Sequence, residues 1–284
     1  MNFTQLTAEQ RRSFDEDGFL VVPNALSAET VRQLIDAGDR LAEAFLKKPE
    51  LMDRPQYNHL DWRPGLLREE ALLALVTNAS TVPLVVQLLG PNIHLLSTAL
   101  IYKRPERPDA PVFRRGWHRD LRMPEDLGHA CLPRLGIKIC YCLTDFHQPQ
   151  SGITLMARGT HLRTTPLVIP KGQSDPPGIE VCDLILNSGD ALLFENRTFH
   201  TAAPNRSNRT SKVLMYGYAY RWLKQEVTLD NLDKRLLGKS GPIARQLLGG
   251  YRDVDAKPSA LKEWMRRHKV EPDPVPWAVE NLSA

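Results

Sequence analysis

The sequence predicts a mainly β fold with flanking helices, and three observations carry that prediction. From residue 92 onward, short apolar runs rich in β-branched and aromatic residues alternate with Gly, Pro and Asn. Before residue 92, and again beyond residue 228, apolar residues recur at helical spacing instead. No internal repeat or low-complexity linker divides the 284 residues. They read as a single domain with helical support over 1–91, a β core over 92–223 and a helical segment over 224–284. Many short strands with turns between them suggest a sandwich or a barrel. A double-sheet jelly roll of cupin-like kind is one way to close its edges.

Thr7 is a good N-cap for a first helix, with Gln10 at the third helical position as in a capping box, and Gly18 stops it after Asp17. Phe19–Val22 reads as a short strand closed by Pro23. Ser27 caps a second helix on which Val31, Leu34, Ile35, Leu41 and Phe45 share a face. Residues 49–68, with Pro55, Pro64 and Gly65, show no clear period and read as a loop near the mouth of a site. Residues 69–89 are helical and mostly apolar, interrupted near 78–82 and ended by Gly90-Pro91. Strands then follow at 93–102, 132–145, 153–156, 184–185, 190–194 and 212–221, with an arginine- and proline-containing loop at 104–115. Helical spacing returns in the tail, which ends in the proline-rich stretch 272–277.

The bulk numbers bound the function. The chain is 42% hydrophobic and 25% charged, so an ordinary buried core is expected and disorder is not. Net charge is +4, with no block of Lys and Arg that would track phosphates, which argues against nucleic acid. No apolar run reads as long enough to span a bilayer, and no secretory leader is apparent at Met1–Thr4. The four cysteines make no CxxC pair, and Cys140 and Cys142 alternate within an apolar run. A reducing compartment and a soluble, cytoplasmic protein are expected. Nothing in the sequence bears on oligomeric state.

One stretch carries chemistry: Gly116-Trp117-His118-Arg119-Asp120-Leu121. On a strand, His118 and Asp120 share a face because side chains alternate with period two. His200 lies much later, after the run Leu193-Phe194-Glu195. Two imidazoles and one carboxylate on one face of a metal leave the other face open, which is the ligand set of non-heme Fe(II) oxygenases. Trp117, beside His118, and Tyr102, in the strand before the motif, are candidate substrate contacts, with packing in the rim or barrel wall as the alternative.

The segments 14–23, Leu100-Ile101-Tyr102-Lys103-Arg104-Pro105, Trp117-His118-Arg119-Asp120, Leu143-Thr144-Asp145, 151–161 and 188–205 resemble successive motifs of the phytanoyl-CoA dioxygenase family, over nearly the whole chain up to about residue 223. The resemblance implies a double-stranded β-helix with Fe(II) held by His118, Asp120 and His200 in its mouth. It implies 2-oxoglutarate as cosubstrate and O2 as oxidant, with succinate and CO2 as co-products of oxidising a C–H bond. Related halogenases carry a small residue where Asp120 stands, so hydroxylation, or a related desaturation or ring closure, is expected here.

The sequence departs from the family at one point. An arginine after the distal histidine binds the far carboxylate of 2-oxoglutarate; here that position is Ser211. A serine cannot replace a bidentate guanidinium. Arg209 would share the face of Ser211 on an extended chain and is the first candidate, Arg206 the second, with Thr201 adding a hydroxyl. The substrate is expected to be a small, largely apolar metabolite. Two other readings stay open: a Zn(II) hydrolase using the same ligands, and a non-catalytic jelly-roll binding protein.

Overall fold

A computed structural model describes residues 1–47, 59–63, 65–107, 115–121, 133–226, 238, 240–251 and 258–270. Helix α1 (Ala8–Asp17) begins as its sequence requires. The Gln10 amide donates to the Thr7 hydroxyl, and the Gln10 side chain accepts from the Thr7 amide. Gly18 closes it in the left-handed region, where a side chain would strike Thr198 and His161. Helix α2 (Ala28–Leu46) follows, with the Ser27 hydroxyl accepting from the Thr30 amide. Strand β1 (Phe19–Val22) lies between them.

Residues 70–89 are, by length and composition, apolar enough to cross a membrane, contrary to the sequence expectation. They are broken into α3 (Glu70–Ala74), a 3-10 turn (Leu75–Thr77) and α4 (Val82–Leu89). Every residue of α4 is buried, so the apolar run is a core packing segment.

Two antiparallel sheets make up the β core. The larger has the order β1-β7-β4-β9-β3-β2, and the smaller β6-β5-β8. The strands are β2 (His59–Trp62), β3 (Ile93–Lys103), β4 (Gly136–Cys142), β5 (Thr154–Ala157), β6 (Val181–Cys182), β7 (Ala191–Glu195), β8 (His200–Ala202) and β9 (Ser211–Tyr220). His118 joins the smaller sheet through a single antiparallel bridge to His200. From β3 onward the chain passes repeatedly between the two sheets, which is the winding of a double-stranded β-helix, or jelly roll.

Three local expectations are corrected. The segment expected to be a loop at 49–68 contains β2, paired along β3 from His59↔Lys103 to Trp62↔Leu100; residues 48–58 and 64 lie outside the described residues. The strand expected at 184–185 sits earlier, at Val181–Cys182, because β5 pairs there through Met156↔Cys182. The strand β8 went unforeseen.

Alternation assigns each side chain of the larger sheet to one of two cores. Ile137, Leu193, Leu214 and Tyr216 face the helices. Cys140, Leu192, Phe194 and Met215 face the jelly-roll interior. A bulge between Leu95 and Ser97 shifts the phase of β3. Beyond it Ala99 joins the interior core and Ile101 packs against it. Leu100 and Tyr102 face the helices.

Candidate metal centre

The interior faces of the two sheets bring His118, Asp120 and His200 together. One potential ligand atom from each lies within 4.8 Å of the others. His118 and His200 are backbone partners, each amide donating to the other's carbonyl at 3.0 Å. Their rings lie 4.3 Å apart between centroids. The His-X-Asp segment is not a strand, however: beyond the single bridge at His118 the backbone bends, and Leu121 takes a positive φ of 53°. Arg119 fixes that bend. Its guanidinium donates to the carbonyls of Arg197 and Thr160 and lies 4.3 Å over the Phe199 ring.

Each histidine uses Nδ1 on a carbonyl two residues behind it. The His118 Nδ1 reaches Gly116 O at 2.8 Å and the His200 Nδ1 reaches Thr198 O at 3.0 Å. Both Nε2 atoms are thereby left as lone-pair donors, the arrangement in which outer hydrogen bonds orient metal-binding imidazoles. Burial pushes His200 down to about 4, more than the attraction of Asp120 offsets, so it is neutral and able to ligate at neutral pH. Burial pushes the Asp120 carboxyl up, but His200 and then Lys138 outweigh it, and the group sits below its ordinary value. Asp120 Oδ1 accepts from Lys138 Nζ at 2.8 Å. Oδ2 is buried, 2.8 Å from the same ammonium and 3.8 Å from His200 Nε2. Two imidazoles and a carboxylate oxygen converging on one point fit a divalent cation with an open face.

Two cavities meet at this point. One, of about 240 Å³, is lined by His118 and His200 with Thr154, Thr201, Ile101 and Met215. The other, of about 200 Å³, is lined by Asp120 with Ser97, Asn196, Gly217, Arg63 and Glu226. Arg63, Ser97 and Lys138 belong to both.

Of the other residues expected at the site, Thr201 alone lines either of these two cavities. Tyr102 is 1% exposed and packs in the helix-side core, because the bulge in β3 sets it on the face opposite Ile101. Trp117 donates its indole N–H to Ser174 O, apart from both linings. Arg209 is exposed and bonded to the Asp145 carboxylate and carbonyl. The extended geometry assumed for it fails: Asn205 holds 205–209 in a turn through Arg209 O and Ser207, and the strand begins only at Ser211. Arg206 is bonded to Arg107 O and paired with Glu106.

Two lysines went unforeseen. Lys138 is the one charged residue of the otherwise apolar β4, in phase with the interior residues Cys140 and Cys142. Lys103 stands on the interior phase of β3, two residues past Ile101 and directly across from Ser211. Its ammonium is half-buried and donates to Ala203 O, and desolvation pushes it down to about 8.

A family model, phytanoyl-CoA dioxygenase, matches residues 14–213. An ectoine dioxygenase of Nocardia farcinica is 25% identical over 228 residues, 71% of this chain and 74% of that protein. A crystal structure of HygX from Streptomyces hygroscopicus, with nickel and 2-oxoglutarate bound, superposes with a TM-score of 0.62 at 19% identity, covering 80% of this chain and 92% of that one. The non-heme alpha ketoglutarate dependent carbocyclase SnoK from nogalamycin biosynthesis superposes at 0.56 with 18% identity, covering 77% and 87%.

Proposed function

Because the chain belongs to the phytanoyl-CoA dioxygenase family and is an Fe(II)/2-oxoglutarate-dependent oxygenase in type, we propose that it hydroxylates a C–H bond of a small polar metabolite, releasing succinate and CO2. The observation that carries this reading is the convergence of His118, Asp120 and His200 with their outer hydrogen bonds already set. These three residues would hold Fe(II), which supplies the activation of O2 when bound. What the chain contributes is position. The Gly116 and Thr198 carbonyls orient the imidazoles, Arg119 holds the bend that aims Asp120, and the interior apolar core keeps bulk water away.

The cavity lined by Thr154, Thr201 and Ile101 suits 2-oxoglutarate, and Lys103 replaces the arginine that Ser211 cannot supply. Its ammonium, two residues beyond the lining residue Ile101 and bonded to the carbonyl just past the lining residue Ala202, gives a carboxylate a charge-assisted partner, although a point charge rather than a fork. Arg209 and Arg206 are each committed elsewhere.

The adjoining cavity would take the substrate. Asp120 and Lys138 sit among its walls with Arg63, Glu226 and Asn196. An apolar molecule there would strip water from charged groups without returning hydrogen bonds, which costs free energy. A polar, hydrogen-bonding substrate therefore replaces the largely apolar one expected from the sequence. Buried free thiols at Cys140, Cys142 and Cys182 suit a reducing, cytoplasmic setting.

A succinate assay tests the central reading. Iron-loaded protein should form succinate from 2-oxoglutarate even without its true substrate, slowly and in an O2-dependent way. No succinate above an iron-free control would sink it.

A further inference from the structure

The metal ligand Asp120 is not free to choose how it meets a cation. Lys138 Nζ lies 2.8 Å from Oδ1 and 2.8 Å from Oδ2, so the ammonium stands between the two oxygens on the open side of the carboxylate. That is the position a metal must occupy to be chelated by both oxygens at once. The ammonium is equally close to the two, and His200 distinguishes them: its Nε2 lies 3.8 Å from Oδ2, so Oδ2 is the oxygen on the histidine side.

We propose that Lys138 is a positioning residue which confines Asp120 to binding the metal through Oδ2 alone. The inference rests on His118, Asp120 and His200 being the metal ligands. Its consequence follows by counting. In an octahedral site three single-atom protein ligands leave three positions, two for a chelating keto acid and one for O2. A chelating Asp120 would take a fourth position and close the last. Charge points the same way. A divalent metal, one carboxylate and dianionic 2-oxoglutarate sum to a net negative charge, which the ammonium neutralises inside a low-dielectric pocket. Lys138 has no other charged partner among the described interactions, and its side chain opens onto both cavities, so a longer or flatter cation has room there.

The test uses the full chain, stripped of metal and titrated with Co(II), whose visible spectrum reports coordination number and geometry. Wild type, Lys138→Met and Lys138→Arg are compared with and without 2-oxoglutarate. Lys138→Met should bind one Co(II) at least as tightly as wild type, since a repelling charge is gone. Its spectrum should differ from wild type, and Fe(II)-supported succinate formation should fall about tenfold or more. Lys138→Arg, whose guanidinium can again cover both oxygens, should restore the wild-type spectrum and most of the turnover. A Lys138→Met protein with the wild-type Co(II) spectrum and turnover overturns the inference. So does a folded Lys138→Met that no longer binds Co(II), because the lysine would then supply affinity rather than choose the oxygen. Should that variant fail to fold, the arginine variant decides alone: a folded Lys138→Arg with an altered spectrum overturns the inference, and a preserved one supports it. Failure of wild type itself to bind Co(II) would instead remove the three ligands on which the inference stands.

Discussion

The larger sheet and the smaller one hold their residues in place by different means. In the larger, β3 and β9 pair along ten residue positions, and β4 is flanked on both sides, by β7 and β9. Its helix face buries Leu193, Tyr216 and Tyr218 almost completely. In the smaller sheet β5 and β8 share three pairs and β5 and β6 two, and His118 is attached by one bridge. Yet the smaller sheet and its rim carry all three candidate metal ligands. Backbone ladders there are too short to fix side chains, so the job passes to individual contacts: Nδ1 on Gly116 O, Nδ1 on Thr198 O, the Arg119 clamp and the Lys138 ammonium. One sheet carries most of the buried core and the other the candidate ligands, and substitutions should separate the two.

The largest effect is expected from His118→Ala. It removes one of three metal donors from a side chain exposed at the rim, so the apo protein should unfold at close to the wild-type temperature while stoichiometric binding of Fe(II) or Co(II) is lost. Retained stoichiometric metal would break the division between the sheets. Leu193→Ala should do the opposite. Leu193 is fully buried on β7 between Leu20 and Ile139. Its loss should cost about 2–5 kcal/mol of stability, read from denaturant unfolding, with metal stoichiometry intact in the protein that remains folded.

How far this was legible from the sequence depends on which link is asked about. The candidate metal ligands were readable because the chemistry demands particular residue types, and His118-Arg119-Asp120 and the His200 block supply them in a recognisable setting. The first helix was readable because Thr7, Gln10 and Gly18 act locally. What failed was whatever depends on register. Which face Tyr102 takes was not legible, because one extra residue between Leu95 and Ser97 reverses which side of β3 faces the interior. Lys103 was invisible as a partner of Ser211 because nothing local says that the two stand across from each other. β8 is three residues long and exists only because β5 and His118 pair with it. A lone lysine in the apolar run of β4 was the one available signal for Lys138.

Lys103→Met sharpens the comparison at the seam, since Lys103 ends the longest ladder of the larger sheet yet donates to Ala203 O, just past β8. Deleting one charged partner of a carboxylate should raise the 2-oxoglutarate KM roughly ten- to hundredfold, with Co(II) affinity unchanged. An unchanged KM would remove Lys103 from the cosubstrate site.

Acid should act on both sheets at once. Burial holds His200, in the smaller sheet, down to about 4, and burial followed by repulsion from Arg221 holds His94, on β3, down to about 4. Both therefore titrate lower in the folded chain than in the unfolded one. Their stability contribution is complete above the ordinary histidine value near 6.5 and is lost as pH falls from there towards 4. Apo protein should unfold at lower urea at pH 5 than at pH 7. His94→Gln should weaken that dependence without removing it, because His200 remains.

The smallest effect belongs to Arg209→Ala. Arg209 lies in the turn just ahead of β9, and a sequence-based expectation gave it the cosubstrate carboxylate. In the folded chain its guanidinium reaches the carbonyl of Asp145 at 2.8 Å and the carboxylate at 3.3 Å, with its side chain 47% exposed. A solvent-exposed pair of this kind contributes about 0–1 kcal/mol. The variant should keep its 2-oxoglutarate KM and lose no more than that in stability. A rise in KM comparable to that of Lys103→Met would mean that the 205–209 turn swings towards the cavity when cosubstrate binds. The anchor would then belong to a mobile turn rather than to the long ladder, and the separation drawn between the two sheets would fail where they meet.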